Sequence, residues 1–472
     1  MRRQPLLLWS AIGAWTAGFT ALSILRQDAF NTGRFDMGNM VQAVWATAHG
    51  HPLEVTSLQG EQISRLASHT DAILAAFAPL WWIWPSPDML LTVQAAAVAL
   101  GAVPVFWLAR KHLGSEHAGL GFALAYLLYP ATEWLTLNEF HPVALACPLL
   151  LYAFWYLDEG RLLPFALFAL AALTTKEEIP LVIAGFGAWY AIARGRRLVG
   201  AAVLVLGALA TYLAVEVVVP HFSGAASSFY SRYEQVGGSP GGVIKTAFTH
   251  PLRLVEKAFG VRGLRYLGEL LVPLGGLWLL APVALIAALP EVVLNLLSRA
   301  TTQSSIHFHY TAGLIPPLFA ASVLGAAALS RVRPQLALRL GPLAAALALG
   351  ANYYLGPIPL WTNLPGGSRF QATYAKVTAH DRIAERALRL IPPRAVVVAT
   401  NSLGAHLSAR RRVLSLPRLG DATWAAVDET RSSYLDRISP LPSATDLVYL
   451  RRNPAWRLVF EEDGILVFRR VD

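Results

Sequence analysis

The stretch RFDMGNMVQAVW, residues 34–45, closely follows the first long apolar run of the chain, near residues 5–25. It carries one carboxylate, Asp36, with a glycine, an asparagine and a glutamine nearby. Ionisable side chains beside membrane hydrocarbon are costly and are by default candidates for function. The stretch therefore predicts a membrane protein with an acid at the mouth of its first span.

The composition supports this class. Of 472 residues, 55% are hydrophobic and only 14% are charged, whereas soluble domains carry roughly 25% charged residues. Apolar runs of about 17–25 residues, the length that a bilayer requires, recur along most of the chain. The first run is too long for a signal peptide and precedes no clear cleavage site, so we expect it to be retained. The predicted fold class is an α-helical polytopic membrane protein.

The basic residues predict the orientation of the chain. Four clusters, at residues 2–3, 110–111, 194–197 and 331–333, fit a cytoplasmic location. Separating them by even numbers of crossings gives about 11 transmembrane helices within residues 1–358. The N-terminus is then cytoplasmic, in the plasma (inner) membrane, and the C-terminus lies outside. The net charge of +10 is therefore explained by basic residues on the cytoplasmic side of the membrane. Nucleic acid is not an expected partner.

Three segments outside the spans carry most of the polar chemistry. Outer loop 26–87 contains Asp36 and ends in a segment, 71–87, whose tryptophans and prolines are typical of an interfacial helix. Outer loop 221–265 is rich in glycine and serine, which predicts a mobile loop. Residues 376–472 combine a helix pattern (HDRIAERALRLIPP), a strand (AVVVAT) and a hairpin (WRLVFEEDGILVFRR), which predicts a small extracytoplasmic α/β domain.

The predicted topology places a set of ionisable side chains from separate loops on the outer side. Each has an ordinary alternative explanation, as a helix cap, a solvated turn or an exposed loop histidine. Their convergence on one side, opposite the basic clusters, is the strongest functional signal in the sequence. The candidate site residues are Asp36, His69, Asp71, Glu139, His141, Lys176, Glu177, Arg299, His307 and His309.

A cation site is a weaker alternative. His69 and Asp71 are two residues apart, as are His307 and His309, and two ligands alone make a poor metal signal. The single cysteine, Cys147, excludes an internal disulfide and a cysteine-based metal site. A divalent cation therefore stays open as a cofactor, with Asp71, His307 and His309 as its candidate ligands.

Several motifs resemble a known family. FDMGNMVQAVW, SHTDAILAAFAPLWWIWPSP, NEFHPVALA, TTKEEIPLVIAG and SSIHFHYTAGLIPPL look like the prokaryotic membrane family termed domain of unknown function 2079, over residues from about 30 to 470. The second motif departs from the usual D-H-F-S-P of that family, because SHTDA lacks the first aspartate and the proline. The family is in turn similar in layout to the GT-C glycosyltransferases, which use polyprenyl-phosphate sugars.

The resemblance implies a function. It matches Asp36 to the position of a catalytic acid after the first span, so the expected reaction is inverting sugar transfer from a polyprenyl-phosphate donor to an extracytoplasmic acceptor, with Asp36 as general base. The other candidates would bind the donor or substrate, and Lys176, Arg299 or His307 would offset the charge of the departing phosphate. The expected partners are this sugar lipid and membrane lipids. Two alternatives stay open: a transporter or lipid flippase, and a non-catalytic envelope assembly factor.

Overall fold

The computed structural model describes residues 3–225, 228–369, 374–431, 436 and 443–471. The chain is mostly helical up to residue 355, as the apolar runs predict. The helices of this part are α1 (Arg3–Asp28), α2 (Asn39–Ala48), α3 (Ala78–Ile83), α4 (Pro87–Leu100), α5 (Ala102–Leu113), α6 (Glu116–Leu127), α7 (Pro130–Leu137), α8 (Ala146–Asp158), α9 (Leu162–Leu173), α10 (Ile179–Ala193), α11 (Arg197–Leu213), α12 (Val219–Ser223), α13 (Pro240–Thr249), α14 (Pro251–Phe259), α15 (Val261–Leu271), α16 (Leu289–Leu297), α17 (Ile315–Val332) and α18 (Ala337–Leu355).

Shorter elements connect these helices. A two-stranded antiparallel hairpin pairs β1 (Glu54–Thr56) with β2 (Gln62–Ser64). Two π-helical turns cover Arg34–Gly38 and Ala214–Val218. The 3₁₀ segments are Arg65–Ala67, Ala72–Phe77, Pro142–Leu145, Ser228–Val236, Val272–Leu274, Leu277–Leu280, Pro282–Ala288, His309–Thr311, Pro334–Leu336 and Pro359–Asn363.

Five helical segments within the described residues are long and apolar enough to cross a membrane. Five shorter apolar segments of 10–17 residues accompany them. The fold class is therefore confirmed, whereas the number of about 11 spans stays a prediction. The five long segments are Pro5–Asp28, Pro87–Leu113, Arg197–Ser223, Ile315–Val332 and Pro334–Leu355.

The helix bundle has two chemically different ends. α8 and α10 both run from an end that carries Asp36, His141 and Glu177, here termed the acid end, to an opposite end that carries basic residues, here termed the basic end. At the basic end the fully buried carboxylate of Asp158 accepts from Lys111 Nζ at 2.7 Å. It also pairs with His112 Nε2 at 2.9 Å and with Arg194. This cluster joins the ends of α5, α8 and α10.

Asp158→Asn is expected to lower the melting temperature of the purified protein by several degrees. The change leaves three cationic or hydrogen-bonding side chains around a neutral amide, and breaking a buried ion pair of this kind costs about 3 kcal/mol. Thermal unfolding in detergent measures the effect. The matched control is Glu159→Gln, since Glu159 contacts the same Lys111 from a more exposed position, where about 0.5 kcal/mol is expected. Equal melting of the two variants would contradict the prediction.

The C-terminal part forms the small α/β domain that its patterns predict. Its five-stranded sheet has the order β4-β3-β5-β7-β6. β3 pairs in parallel with β4 and β5, while β7 pairs antiparallel with β5 and β6. Its elements are α19 (Ala379–Leu388), β3 (Val397–Ala399), α20 (Asn401–His406), β4 (Val413–Ser415), β5 (Trp424–Asp428), α21 (Ser443–Arg452), β6 (Trp456–Glu462) and β7 (Ile465–Arg470).

The structure gives the secondary structure of the predicted outer loop 221–265. Nearly all of its described residues from 228 onward are helical, and they include α13, α14 and the start of α15. Glycine and serine at 223–242 mask a strong amphipathic pattern that begins at residue 251. The segment is therefore built of surface helices instead of an irregular loop.

The segment 72–83 fits an interfacial helix only in part. A 3₁₀ segment precedes α3, and Trp82 and Trp84 are exposed, as expected for side chains that contact lipid. Trp81 instead is buried in a hydrophobic cluster with Met37, Val41 and Leu74. One face of the segment thus packs beneath the loop that carries Asp36.

Candidate active site

Asp36 lies in the π-helical turn Arg34–Gly38, which continues into α2. The residues around it are buried, yet 55% of the Asp36 side chain is accessible. Among the acids at this end, Glu177 and Asp71 have only 6% and 3% of their side chains accessible. Asp36 is therefore the carboxylate that a substrate can reach most readily.

A buried histidine network stands behind Asp36. His141 Nε2 lies 3.4 Å from Asp36 Oδ1, and His141 Nδ1 lies 2.6 Å from the carbonyl oxygen of Asn138. Because a carbonyl only accepts, Nδ1 carries a hydrogen, so Nε2 of a neutral ring would present a lone pair to the carboxylate. His141 Nε2 is therefore the ring atom that faces the Asp36 carboxylate. The His309 ring stacks on His141 at 3.9 Å, and Asn138 Oδ1 accepts from the backbone N–H of His309 at 3.1 Å.

The electrostatics keep Asp36 ionised. Burial alone would raise the pKa of its carboxyl, but the hydrogen bond and charge interaction with His141 outweigh burial and lower the pKa below its usual value. Burial and the neighbouring His141 and Lys176 charges lower the pKa of His309 well below that of an exposed histidine. At neutral pH, His309 is thus an uncharged ring that supports His141.

Glu139 orients the turn that carries Asp36. Its Oε2 accepts from the backbone N–H groups of Gly33 at 3.1 Å and Met37 at 2.9 Å. The residue has a positive φ of 55°, which is uncommon for a side chain of this size. Burial, followed by the charge of Asp36, raises the pKa of Glu139 to about 7. Glu139 therefore caps the backbone of the π-helical turn and titrates near neutrality.

A second group of charges lies beyond His309. Lys176 Nζ contacts Glu178 Oε1 at 2.5 Å and lies 4.8 Å from the centroid of the Tyr310 ring. Arg232 approaches the same tyrosine, with Nη1 at 3.4 Å from its hydroxyl. Burial alone would lower the pKa of Lys176, but the Glu178 carboxylate raises it, so the ammonium stays charged. Two cations therefore flank Tyr310, the neighbour of His309.

Two further acids at this end, Glu177 and Asp71, are paired. His69 Nδ1 contacts Glu177 Oε1 at 2.9 Å, and this contact lowers the pKa of Glu177 to about 2 although burial opposes it. Arg65 contacts Asp71 Oδ2 at 2.9 Å through both Nε and a terminal nitrogen. The carboxylate of Asp71 thus pairs with arginine and makes no cap hydrogen bond at the start of its 3₁₀ segment.

Two predicted site residues lie outside this group. The Arg299 side chain is 74% accessible and has Glu234 as a distant partner at 3.9 Å. His307 packs against Trp134 and lies 3.0 Å from Ser305 Oγ. Although His307 and His309 are two residues apart, the 3₁₀ segment that begins at His309 gives them different surroundings.

The structure adds residues that the sequence did not single out. Asn138 joins His141 to His309, Arg65 neutralises Asp71, and Arg232 with Tyr310 completes the cationic group around Lys176. Asn138 and Tyr310 lie inside the quoted motifs NEFHPVALA and SSIHFHYTAGLIPPL, and Arg65 stands three residues before SHTDA. Those motifs were therefore the available signal, although their ionisable residues alone were selected as candidates.

The three candidate cation ligands do not form one cluster in the structure. Asp71, His307 and His309 face different partners, namely Arg65, Ser305 and Asn138. Within the part of the chain that the structure describes, no group of three or more His, Cys, Asp or Glu side chains is placed to hold a metal ion. Positive charge near Asp36 comes from the Arg65 side chain.

The C-terminal domain packs directly against the turn that carries Asp36. The Arg34 guanidinium, 1% exposed, donates to Ser415 Oγ and Thr56 O, each at 2.8 Å, and to Val413 O. The backbone N–H of Arg34 donates to Asn401 Oδ1 at 2.9 Å. The domain and the acid turn therefore share a buried polar interface.

The interface also contains a histidine in an apolar position. The His406 ring stacks on Phe30 at 3.9 Å, and its Nε2 is buried without a hydrogen-bond partner among the described residues. Burial lowers the pKa of His406 to about 4. A histidine of this kind favours the docked state when it is neutral and opposes it when it is protonated.

Acidification to about pH 5 is expected to loosen the docked domain. The lowered pKa means that the docked state binds fewer protons, so stability present above the ordinary histidine pKa is lost as the pH falls, by about 2 kcal/mol at pH 5. Melting temperatures at about pH 7.5 and pH 5 measure it, and His406→Phe, which keeps the stack on Phe30, should show a smaller difference. An unchanged pH dependence in His406→Phe would rule this out.

Comparisons with known proteins agree with the geometry. The model of the family described as predicted membrane protein (DUF2079) matches residues 26–467. The crystal structure of ArnT from Cupriavidus metallidurans bound to undecaprenyl phosphate is similar, with a TM-score of 0.55 at 13% identity over 97% of this chain and 98% of that chain. The apo structure of the same protein gives a TM-score of 0.53 at the same identity and coverage. A comparison with curated protein sequences gives no match.

The family match covers most of the chain, and the structural match shows a shared fold. At 13% identity the likeness shows the fold alone. Any chemistry has to be argued from the residues of the site. The chain therefore belongs to the DUF2079 family of predicted membrane proteins and has an ArnT-like fold.

Proposed function

We propose that this protein is an inverting membrane glycosyltransferase that moves a sugar from a polyprenyl-phosphate donor to an extracytoplasmic acceptor. The observation that carries the proposal is the accessible carboxylate of Asp36, held by His141 at the acid end of a GT-C fold. The ArnT neighbour was crystallised with undecaprenyl phosphate, which supports a polyprenyl lipid as the partner. The acid end then faces away from the cytoplasm, because the basic end follows the positive-inside rule.

The reaction needs one proton acceptor. The acceptor hydroxyl attacks the anomeric carbon, a new carbon–oxygen bond forms, and the bond from that carbon to the phosphate oxygen breaks. Asp36 takes the hydroxyl proton as general base, and its lowered pKa ensures that it is ionised beforehand. A single displacement from the face opposite the phosphate inverts the anomeric centre.

The departing phosphate needs positive charge. Arg232 and Lys176 flank Tyr310, which follows His309 in the chain. Arg232 is partly accessible, whereas Lys176 is buried and fixed by Glu178. We assign Arg232 as the phosphate contact and Lys176 as the charge behind it, in place of the outlying Arg299. The exposed Trp82 and Trp84 would contact the membrane around the lipid tail.

Native mass spectrometry of protein purified in mild detergent tests the proposal. A polyprenyl-phosphate sugar that copurifies and is enriched in Asp36→Asn is the expected result, because the variant binds donor without consuming it. A carrier lipid without sugar in both proteins would favour the flippase alternative. A folded protein without any such lipid would contradict the proposal and favour a transporter or an assembly factor.

A further inference from the structure

α14 and α15 form an amphipathic surface at the acid end. On α14, Leu252, Val255 and Phe259 recur at the spacing of one helix face, and they are 72%, 51% and 53% exposed. On α15, Val261 and Leu264 extend this exposed apolar strip. An exposed strip of this length is typical of a helix pair that lies in a membrane surface.

The helix pair is fixed to the bundle by its other side. Tyr266 and Leu270 of α15 are buried, and the backbone oxygen of Leu270 accepts from Tyr129 Oη at 2.5 Å. Arg262 donates to the backbone oxygen of Ser298 at 3.0 Å. The position of the strip is therefore set by contacts with the bundle, and its apolar edge is left for lipid.

A cationic cavity lies on the polar side of α14. It has a volume of about 400 Å³ and is lined by Gln235, Val236, Arg253 and Lys257. Arg253 and Lys257 are four residues apart, hence on one face of the helix. No ion pair involves either side chain within the described residues. Burial, with a smaller contribution from the nearby Arg262 charge, lowers the pKa of Lys257.

The charge of the whole segment agrees with this. Residues 240–265 contain five basic side chains and one acidic side chain, Glu256. Basic amphipathic helices bind anionic membrane surfaces through buried apolar area together with charge attraction.

We propose that this cavity binds the headgroup of an anionic glycerophospholipid from the leaflet in which α14 and α15 lie. The phosphodiester would accept hydrogen bonds from Arg253 and Lys257, and the acyl chains would follow Leu252, Val255 and Phe259. The 3₁₀ segment Ser228–Val236 separates this cavity from the Asp36 site. Its Arg232 contacts Tyr310, while its Gln235 and Val236 line the cavity.

Lipid titration of the detergent-purified full chain tests the proposal. The probes are short-chain phosphatidylglycerol, short-chain phosphatidylcholine and inorganic phosphate, and native mass spectrometry counts the bound lipid. The double variant Arg253→Gln, Lys257→Gln is expected to bind phosphatidylglycerol about tenfold more weakly and phosphatidylcholine unchanged. The matched control, Lys245→Gln with Arg299→Gln, removes two charges outside the cavity lining and should bind like the wild type.

Three outcomes would overturn it: equal phosphatidylglycerol binding by the double variant and its control, equal binding of both phospholipids by the wild type, or full competition by inorganic phosphate. Loss of polyprenyl-phosphate binding alone would also overturn it, since the site would then belong to the donor. Asp36→Asn should bind phosphatidylglycerol normally. Failure of the lipid site is thus distinguishable from failure of the proposed transferase function.

Discussion

Asp36→Asn is expected to lower the rate of sugar transfer by about 10³–10⁴-fold while the protein stays folded and binds donor. The amide keeps the shape of the side chain and can still face His141 across 3.4 Å, but it cannot accept the hydroxyl proton. Glu177 and Asp71 cannot substitute, because both are buried and paired with His69 and Arg65. The loss should therefore fall on kcat and leave donor affinity nearly unchanged.

The measurement is release of polyprenyl phosphate, followed by mass spectrometry, with the copurifying sugar lipid as donor. Asp88→Asn is the matched control. Asp88 stands in the first turn of α4, where it favours the helix dipole, and it has no contact with the Asp36–His141 network. Its variant should keep most of the activity. An Asp36→Asn protein that releases polyprenyl phosphate at the wild-type rate would exclude Asp36 as the general base.

The gathering of Asp36, His69, Glu139, His141 and Glu177 at one end of the bundle could be predicted from the sequence. Each stands in a connection between apolar runs, and spans of fixed length return such connections to one side of the membrane. The pairing within the group could not be predicted. Which acid is accessible depends on contacts between connections far apart in the chain, such as Glu139 with Gly33.

Charge runs were the least informative pattern. Residues 410–412 suggest a solvated basic face, or one that contacts anionic headgroups, yet Arg410 is 6% exposed and donates to the backbone oxygens of Leu407, Pro392 and Ala395. Arg411 and Arg412 instead reach Glu54 and Asp421. Three adjacent arginines thus have three different environments, because a turn between α20 and β4 changes direction at each residue.

Arg34→Met is expected to loosen the C-terminal domain and to disturb the turn that carries Asp36. The buried guanidinium donates hydrogen bonds to Thr56 O, Val413 O and Ser415 Oγ. Methionine fills similar space but donates no hydrogen bond, so these buried acceptors lose their partner. The free energy of docking is expected to become less favourable by about 3 kcal/mol. β1 and β4, which carry these acceptors, lie on opposite sides of the interface. Loss of the hydrogen bonds therefore weakens the docking of the C-terminal domain.

Hydrogen exchange at residues 397–415 is the direct readout, since local opening sets its rate. A loss of about 3 kcal/mol corresponds to exchange faster by about two orders of magnitude. The matched control is Arg386→Met in the same domain, where an exposed ion pair with Glu462 contributes about 0.5 kcal/mol.

Transfer activity of Arg34→Met links the interface to the site. Arg34 is two residues from Asp36 on one π-helical turn, and Asn401 holds its backbone N–H. If the domain positions the base, activity should fall together with protection from exchange, while donor binding persists. Faster exchange with unchanged transfer would show that Glu139 alone, through Gly33 and Met37, is sufficient to hold the turn. Unchanged exchange would refute the role of Arg34 in docking.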